Sequence, residues 1–271
     1  MNKTGFTLDI ARVPVRIFSD REKSLGLIEG VFGGFISRGE PELAIEVRET
    51  RRDIPEDLPE DLLSDVKVIR KGQNIGFYTK AFPGAELGFF DPRENKAVFF
   101  DRGGGFLENH IRAFTLAVFQ FFLFHREYGF VIHASGIRQG GRGYLFPGPS
   151  GSGKTTITAL WPGASVVSDE FICIRESKGA YFMYSTPWKE TTKSEAVIGK
   201  IIFPRKADRL EIKKVSPASA ALELLSNIIY SFYDASIMEK ALGTVKDITK
   251  KVPCSEMRFA LDSSFWQEVA V

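Results

Sequence analysis

Eight consecutive residues, Gly148-Pro149-Ser150-Gly151-Ser152-Gly153-Lys154-Thr155, carry the densest chemical signal in the chain, because they fit the spacing G-x4-G-K-[ST] in full. Glycines in such a run let backbone N–H groups turn inward and approach phosphate oxygens. The start of a following helix adds partial positive charge. Lys154 is then placed to neutralise β- and γ-phosphates, and the Thr155 hydroxyl to ligate Mg²⁺. The pattern predicts a phosphate cradle from Gly148 through Thr155 and on to Thr156, with ATP and Mg²⁺ as its occupants. Asp169 and Glu170 come next, two carboxylates at the end of an apolar run and 15 residues after Lys154. Beside Thr155 they are candidate metal ligands, and either could accept a proton from a hydroxyl.

These residues need elements to hold them. The pattern predicts a strand over 130–137, a glycine turn over 139–143 and a second strand over 144–147, which together form an antiparallel hairpin. A helix over 155–160 follows the loop and stops at Pro162-Gly163. The span to Asp169 leaves room for a helix of only about two turns. A short helix behind an antiparallel hairpin argues against the parallel βαβ sheet of ordinary phosphate-loop proteins. Upstream, 6–10 and 43–48 alternate as strands, and 66–70, 75–78, 85–90 and 96–100 are spaced as an antiparallel meander. The stretch 53–65 is acidic, carries two prolines and reads as a loop. A helix over 107–128, apolar almost all round, joins the N-terminal sheet to the hairpin and loop; His110 and His125 near its ends read as surface or cap residues. Near the C-terminus Ser216-Pro217 opens a helix as N-cap and N1, 235–251 forms a second helix closed by Pro253, and 257–261 is a late strand.

Composition narrows the function classes. Thirty-six Lys and Arg against 34 Asp and Glu leave a formal charge of +2, which gives no support to a nucleic-acid partner. Two distant cysteines, Cys173 and Cys254, imply neither a disulfide framework nor a zinc cluster. The N-terminus lacks the apolar core of a signal peptide, and the most apolar run, 113–124, is too short for a membrane span. The expectation is a soluble, cytoplasmic chain with no membrane partner. The fold class expected is α/β in the α+β sense: mixed, partly antiparallel sheets around a phosphate loop. A β-rich region over 1–105 would precede a nucleotide-binding catalytic core over 106–271.

His133-Ala134-Ser135-Gly136, the loop 15 residues after His133, and Ser168-Asp169-Glu170 together resemble the catalytic core of HPr kinase/phosphorylase. The resemblance is strongest at the loop and runs over about 107–271, weakly beyond 200. It implies a phosphoenolpyruvate-carboxykinase-like core, ATP and Mg²⁺, and a serine hydroxyl of a peptide or small protein as acceptor. It also implies Asp169 as the base and His133 beside the metal or the transferred phosphate. Thr186-Pro187-Trp188-Lys189-Glu190 resembles the TPW-x-GE-type segment of HPr-kinase-related proteins, without its glycine, and suggests Trp188 and Glu190 on the substrate side. Arg205 and Lys206, after an apolar strand, are further candidate phosphate clamps, although the pair also reads as a solvated basic turn. The C-terminal signature of genuine HPr kinases is missing, and the N-terminal hundred residues look closer to the short related proteins, including kinases of lasso-peptide precursors. A homo-oligomer is compatible with this reading. Two other classes stand beside it: a nucleotide-binding regulatory or assembly protein with weak or no NTPase activity, and a carboxykinase. The last is disfavoured by the short chain and the lack of an arginine cluster.

Overall fold

The computed structural model describes residues 4–50, 66–79, 86–101, 107–190, 192–229 and 235–259. They form a mixed α/β protein with two mixed sheets and five α-helices among the described residues. They divide into two compact units, one within 4–126 and the other within 127–259. The loop expected over 53–65 and the last two residues of the late strand, 260 and 261, lie outside the described residues.

The first unit opens with a hairpin of β1 (Thr4–Ile10) and β2 (Val13–Ser19). Its two-residue turn is Ala11-Arg12, with φ of 52° and 62°. Two left-handed residues match the right-handed twist of the flanking strands, but they usually call for Asn or Gly. The glycine-studded stretch after β2 is helical: α1 (Glu22–Phe32) buries Leu25, Ile28 and Phe32 while Gly26 and Gly30 face open space. A 3-10 turn (Gly33–Phe35) leads to β3 (Ile36–Ser37), and then come β4 (Leu43–Glu49), β5 (Val66–Lys71), β6 (Asn74–Thr79), β7 (Glu86–Asp91) and β8 (Lys96–Asp101). The sheet runs β3-β1-β2-β4-β8-β7-β6-β5. Strands β5 to β8 are the expected antiparallel meander. Strand β4 lies parallel to both β2 and β8, which makes the sheet mixed.

Helix α2 (Leu107–Arg126) packs on this sheet, with Phe114 edge-on to Phe77 at 5.3 Å and Phe121 edge-on to Phe77 at 5.7 Å. Each edge-to-face pair adds about 0.5–1.5 kcal/mol beyond the burial of its area. The helix therefore belongs to the first unit, and the division falls after Arg126 rather than before residue 106. It ends two residues short of the expected 128, where Glu127 turns left-handed at φ 55°. His110 is buried at 7% exposure rather than at the surface, whereas His125 is exposed.

The second unit contains β9 (Gly129–Gln139), β10 (Arg142–Pro147), α3 (Lys154–Leu160), β11 (Ser165–Ser168), β12 (Phe171–Ser177), β13 (Ala180–Ser185), β14 (Glu195–Lys206), β15 (Glu211–Lys214), α4 (Pro217–Asn227), α5 (Ala235–Lys251) and β16 (Cys254–Phe259). The β9–β10 hairpin is antiparallel, closed by Gly140-Gly141 at φ 57° and 79°. Strand order is β10-β9-β12-β13-β14-β16-β15, with β10 also parallel to β14, so β10, β9, β12, β13 and β14 close a ring of pairings. Two long strands make this possible. The first half of β9 pairs with β12 and the second with β10 and β11. Strand β14 likewise changes partner from β13 to β10 and β16. Ile157 and Trp161 fix the short helix α3 to this sheet, against Ile137, Tyr144, Phe146, Ile202, Met257 and Phe259. The Ser216 side chain caps α4 by accepting from the Ser219 N–H, with Pro217 in its first turn. Among the described residues no helix is long and apolar enough to cross a membrane.

Candidate functional site

The end of β10 passes through Gly148–Gly153 into α3, so strand, glycine-rich loop and helix succeed one another directly. Gly151 and Gly153 have φ of 79° and 99°, in the left-handed region, and a Cβ on Gly153 would meet the Phe259 ring at 2.6 Å. Only glycine fits there without moving a core phenylalanine. Lys154, just 6% exposed, folds over the loop and donates from Nζ to Gly148 O and Pro149 O, both at 2.8 Å. Burial lowers its pKa, opposed by the charges of Asp169 and Glu170. An ammonium has three N–H donors. Two are engaged on carbonyls, and no carboxylate bonds to Nζ among the described residues, so its donor set fits an incoming anion.

The acidic pair sits where β11 gives way to β12. Ser168, fully buried, donates to Phe171 O at 3.0 Å and so ties the bend between the two strands. Asp169 is held from three sides. Ser135, fully buried on β9, donates to Oδ1 at 2.6 Å and to the main-chain carbonyl at 3.2 Å. Thr158 on α3 reaches the same Oδ1 at 3.4 Å. The Asp169 N–H donates to Glu190 Oε1 at 3.0 Å. Oδ2 makes no hydrogen bond among the described residues. Glu170 is arranged differently, with Oε2 3.0 Å from Lys189 Nζ. That hydrogen bond is the main cause that raises the pKa of Lys189. One carboxylate is thus oriented by neutral hydroxyls, and its neighbour is neutralised by an ammonium.

His133 lies on β9 opposite Phe171, with the two rings tilted at a centroid distance of 6.2 Å. Burial first, then the Lys154 charge, lowers its pKa below the ordinary imidazole value, against the pull of Glu170 and Asp169. At neutral pH the ring is uncharged and can donate from one nitrogen and accept at the other.

An open cavity of about 450 Å³ gathers most of the expected residues. His133, Ser150, Gly151, Gly153, Lys154, Thr155, Thr156, Asp169 and Glu170 all line it. Gly148, Pro149 and Ser152 complete the loop without lining the cavity. Trp188 and Glu190, suggested for the substrate side, and Arg205, a candidate phosphate clamp, do not line it. Trp188 is buried at 7% exposure, and Glu190 is spent on the Asp169 amide. Arg205 ion-pairs with Glu223 and lies 3.6 Å from Glu256. Lys189 and Lys206 line the cavity instead. Ser135, which enters the sequence pattern only as part of the His133–Gly136 segment, and Thr158 support the site in a role that the sequence did not assign to either. Their hydroxyls stand out only once it is known which strand and helix flank Asp169.

A Mg²⁺ ion wants oxygen donors, and the Thr155 hydroxyl and the carboxylates of Asp169 and Glu170 line the same cavity. Among the described residues there is no cluster of three or more His, Cys, Asp or Glu suited to a metal. The oxygen donors of the lining are of the type a hard cation takes, with phosphate oxygens and water left to complete its shell. No family model matches the chain, and no curated protein matches it. Among solved structures, the HPr(Ser) kinase/phosphatase from Coxiella burnetii is similar over 52% of this chain and 95% of that one, at 10% identity and a TM-score of 0.31.

Proposed function

We propose that the second unit carries out ATP-dependent, Mg²⁺-assisted phosphoryl transfer to a serine hydroxyl of a peptide or small protein. One observation carries the reading: Lys154, Thr155, Asp169, Glu170 and His133 line a single cavity beside a glycine-rich loop. Phosphoryl transfer asks a protein mainly for positioning and charge stabilisation, and this set provides both. The loop N–H groups and Lys154 hold the triphosphate. Thr155 and Glu170 would hold Mg²⁺, which when bound would neutralise charge on the phosphate oxygens. Asp169 is the base: hydroxyl donors fix Oδ1 and leave Oδ2 to accept the serine proton. Glu170 is less suited, because Lys189 already neutralises it. As the serine oxygen bonds to the γ-phosphorus, the bond to the β-phosphate oxygen breaks and ADP leaves. The neutral His133 hydrogen-bonds the transferring group.

The test is incubation of the protein with γ-labelled ATP, Mg²⁺ and serine-containing peptides, including any short precursor encoded beside the gene, and then mapping of the labelled residue. Label on serine, lost in Lys154→Ala and Asp169→Asn, is the expected result. Nucleotide binding without transfer to any hydroxyl would point instead to a regulatory nucleotide-binding protein.

A further inference from the structure

Lys206 is the one lysine of the cavity lining whose ammonium has no hydrogen-bond or ion-pair partner among the described residues. Successive side chains on a strand point to opposite faces. On β14 the neighbours Arg205 and Lys206 accordingly diverge: Arg205 pairs with Glu223 and Glu256, while Lys206 lines the cavity. Among the described residues its side chain makes neither an ion pair nor a hydrogen bond. Of the other two lysines in the lining, Lys189 is 3.0 Å from Glu170 and Lys154 is engaged on two loop carbonyls. Of the three lining ammonium groups, Lys206 is thus the one left unengaged.

Its place in the fold says which ligand group it meets. Strand β14 runs parallel to β16 with Lys206 opposite Phe259. The Phe259 ring is what a Cβ on Gly153 would strike at 2.6 Å. Lys206 therefore rises next to the residue that backs the glycine-rich loop, whereas Lys189 sits with the acidic pair. We propose that Lys206 binds the phosphate chain of the nucleoside triphosphate, as a second cation beside Lys154. This rests on reading the cavity as a nucleotide site. A lysine suits the task, since its compact charge on a flexible stem can track a phosphate that moves between substrate and product.

The experiment measures dissociation constants of Mg²⁺-ATP and of AMP for the full chain, for Lys206→Ala and for Lys206→Arg, without an acceptor. An exposed charge-assisted contact to phosphate corresponds to about tenfold in affinity. Lys206→Ala should weaken ATP binding by about that factor, leave AMP within about twofold, and show a shallower salt dependence; Lys206→Arg should recover most of the loss. Unchanged ATP affinity in Lys206→Ala overturns the proposal, and so does an equal loss for ATP and AMP. A rise confined to the KM of a peptide acceptor also overturns it, by placing the charge on the acceptor side. If the wild-type chain binds no nucleotide, the nucleotide reading itself falls and this inference with it; ATP binding indifferent to Lys206 removes only the latter.

Discussion

Removing the Ser135 hydroxyl tests how the site is assembled. Ser135 is fully buried, and its Oγ lies 2.6 Å from Asp169 Oδ1, a distance typical of a charge-assisted bond. Hydrogen bonds to charged groups contribute about 1.5–3 kcal/mol. Asp169 is half-buried, and water can partly replace the lost donor, so the lower part of that range applies. Ser135→Ala should therefore destabilise the second unit by about 2 kcal/mol, a factor of about 30 in its unfolding equilibrium. The direct measurement is a double-mutant cycle of Ser135→Ala and Asp169→Ala. Urea unfolding can be monitored through Trp161 and Trp188, which are both buried in this unit. A coupling of about 1.5–2 kcal/mol between the two changes is expected. Turnover should fall with it, by about 10- to 100-fold, because a carboxylate free to rotate no longer presents Oδ2. Additivity within about 0.5 kcal/mol, with unchanged turnover, would refute the claim that Ser135 orients the base.

The same geometry sets other outcomes. Lys154→Ala should abolish transfer while the unfolding midpoint moves little, since its bonds are to loop carbonyls rather than to core groups; calorimetry and a label-transfer assay check both halves. His133 has a native pKa lowered chiefly by burial, so the unfolded chain binds its proton first as pH falls below about 6.5. Stability should decline through the window between that value and the lower native pKa, and His133→Gln should flatten the decline; identical slopes in the two proteins would contradict this. His133→Ala should also lower the transfer rate by a larger factor than it lowers nucleotide affinity. Gly153→Ala puts a side chain on a left-handed residue and against a buried phenylalanine, at a combined cost of about 2–4 kcal/mol in urea unfolding.

How much of this was legible in the sequence depended on whether a signal was local. The β9–β10 hairpin was readable because Gly140-Gly141 supplies positive φ at no steric cost. The glycine-rich loop and the Ser216-Pro217 helix start were readable for similar local reasons. The β1–β2 hairpin was not, because its left-handed turn is made by Ala11-Arg12, residues that advertise nothing. Helix α1 was hidden by Gly26 and Gly30, whose propensity cost is offset by the buried face of Leu25, Ile28 and Phe32. At the site, residue types near the loop were found, but strand parity was not. The strand β14 runs on through Lys206, and that extension turns Arg205 away and brings Lys206 in. Glu190 was readable as a residue near the site, but its bond to the Asp169 amide, 21 positions upstream, depends on the fold alone.

The central claim is that the glycine-rich loop and its acidic wall hold a Mg²⁺-nucleoside triphosphate. Calorimetric titration with ATP and Mg²⁺, up to about 1 mM, tests it most directly when wild-type protein and Lys154→Ala are compared. The account predicts saturable binding at one site per chain, dependent on Mg²⁺ and weakened at least about tenfold by Lys154→Ala. Absence of binding to the wild type, or equal affinity in the two proteins, would contradict it.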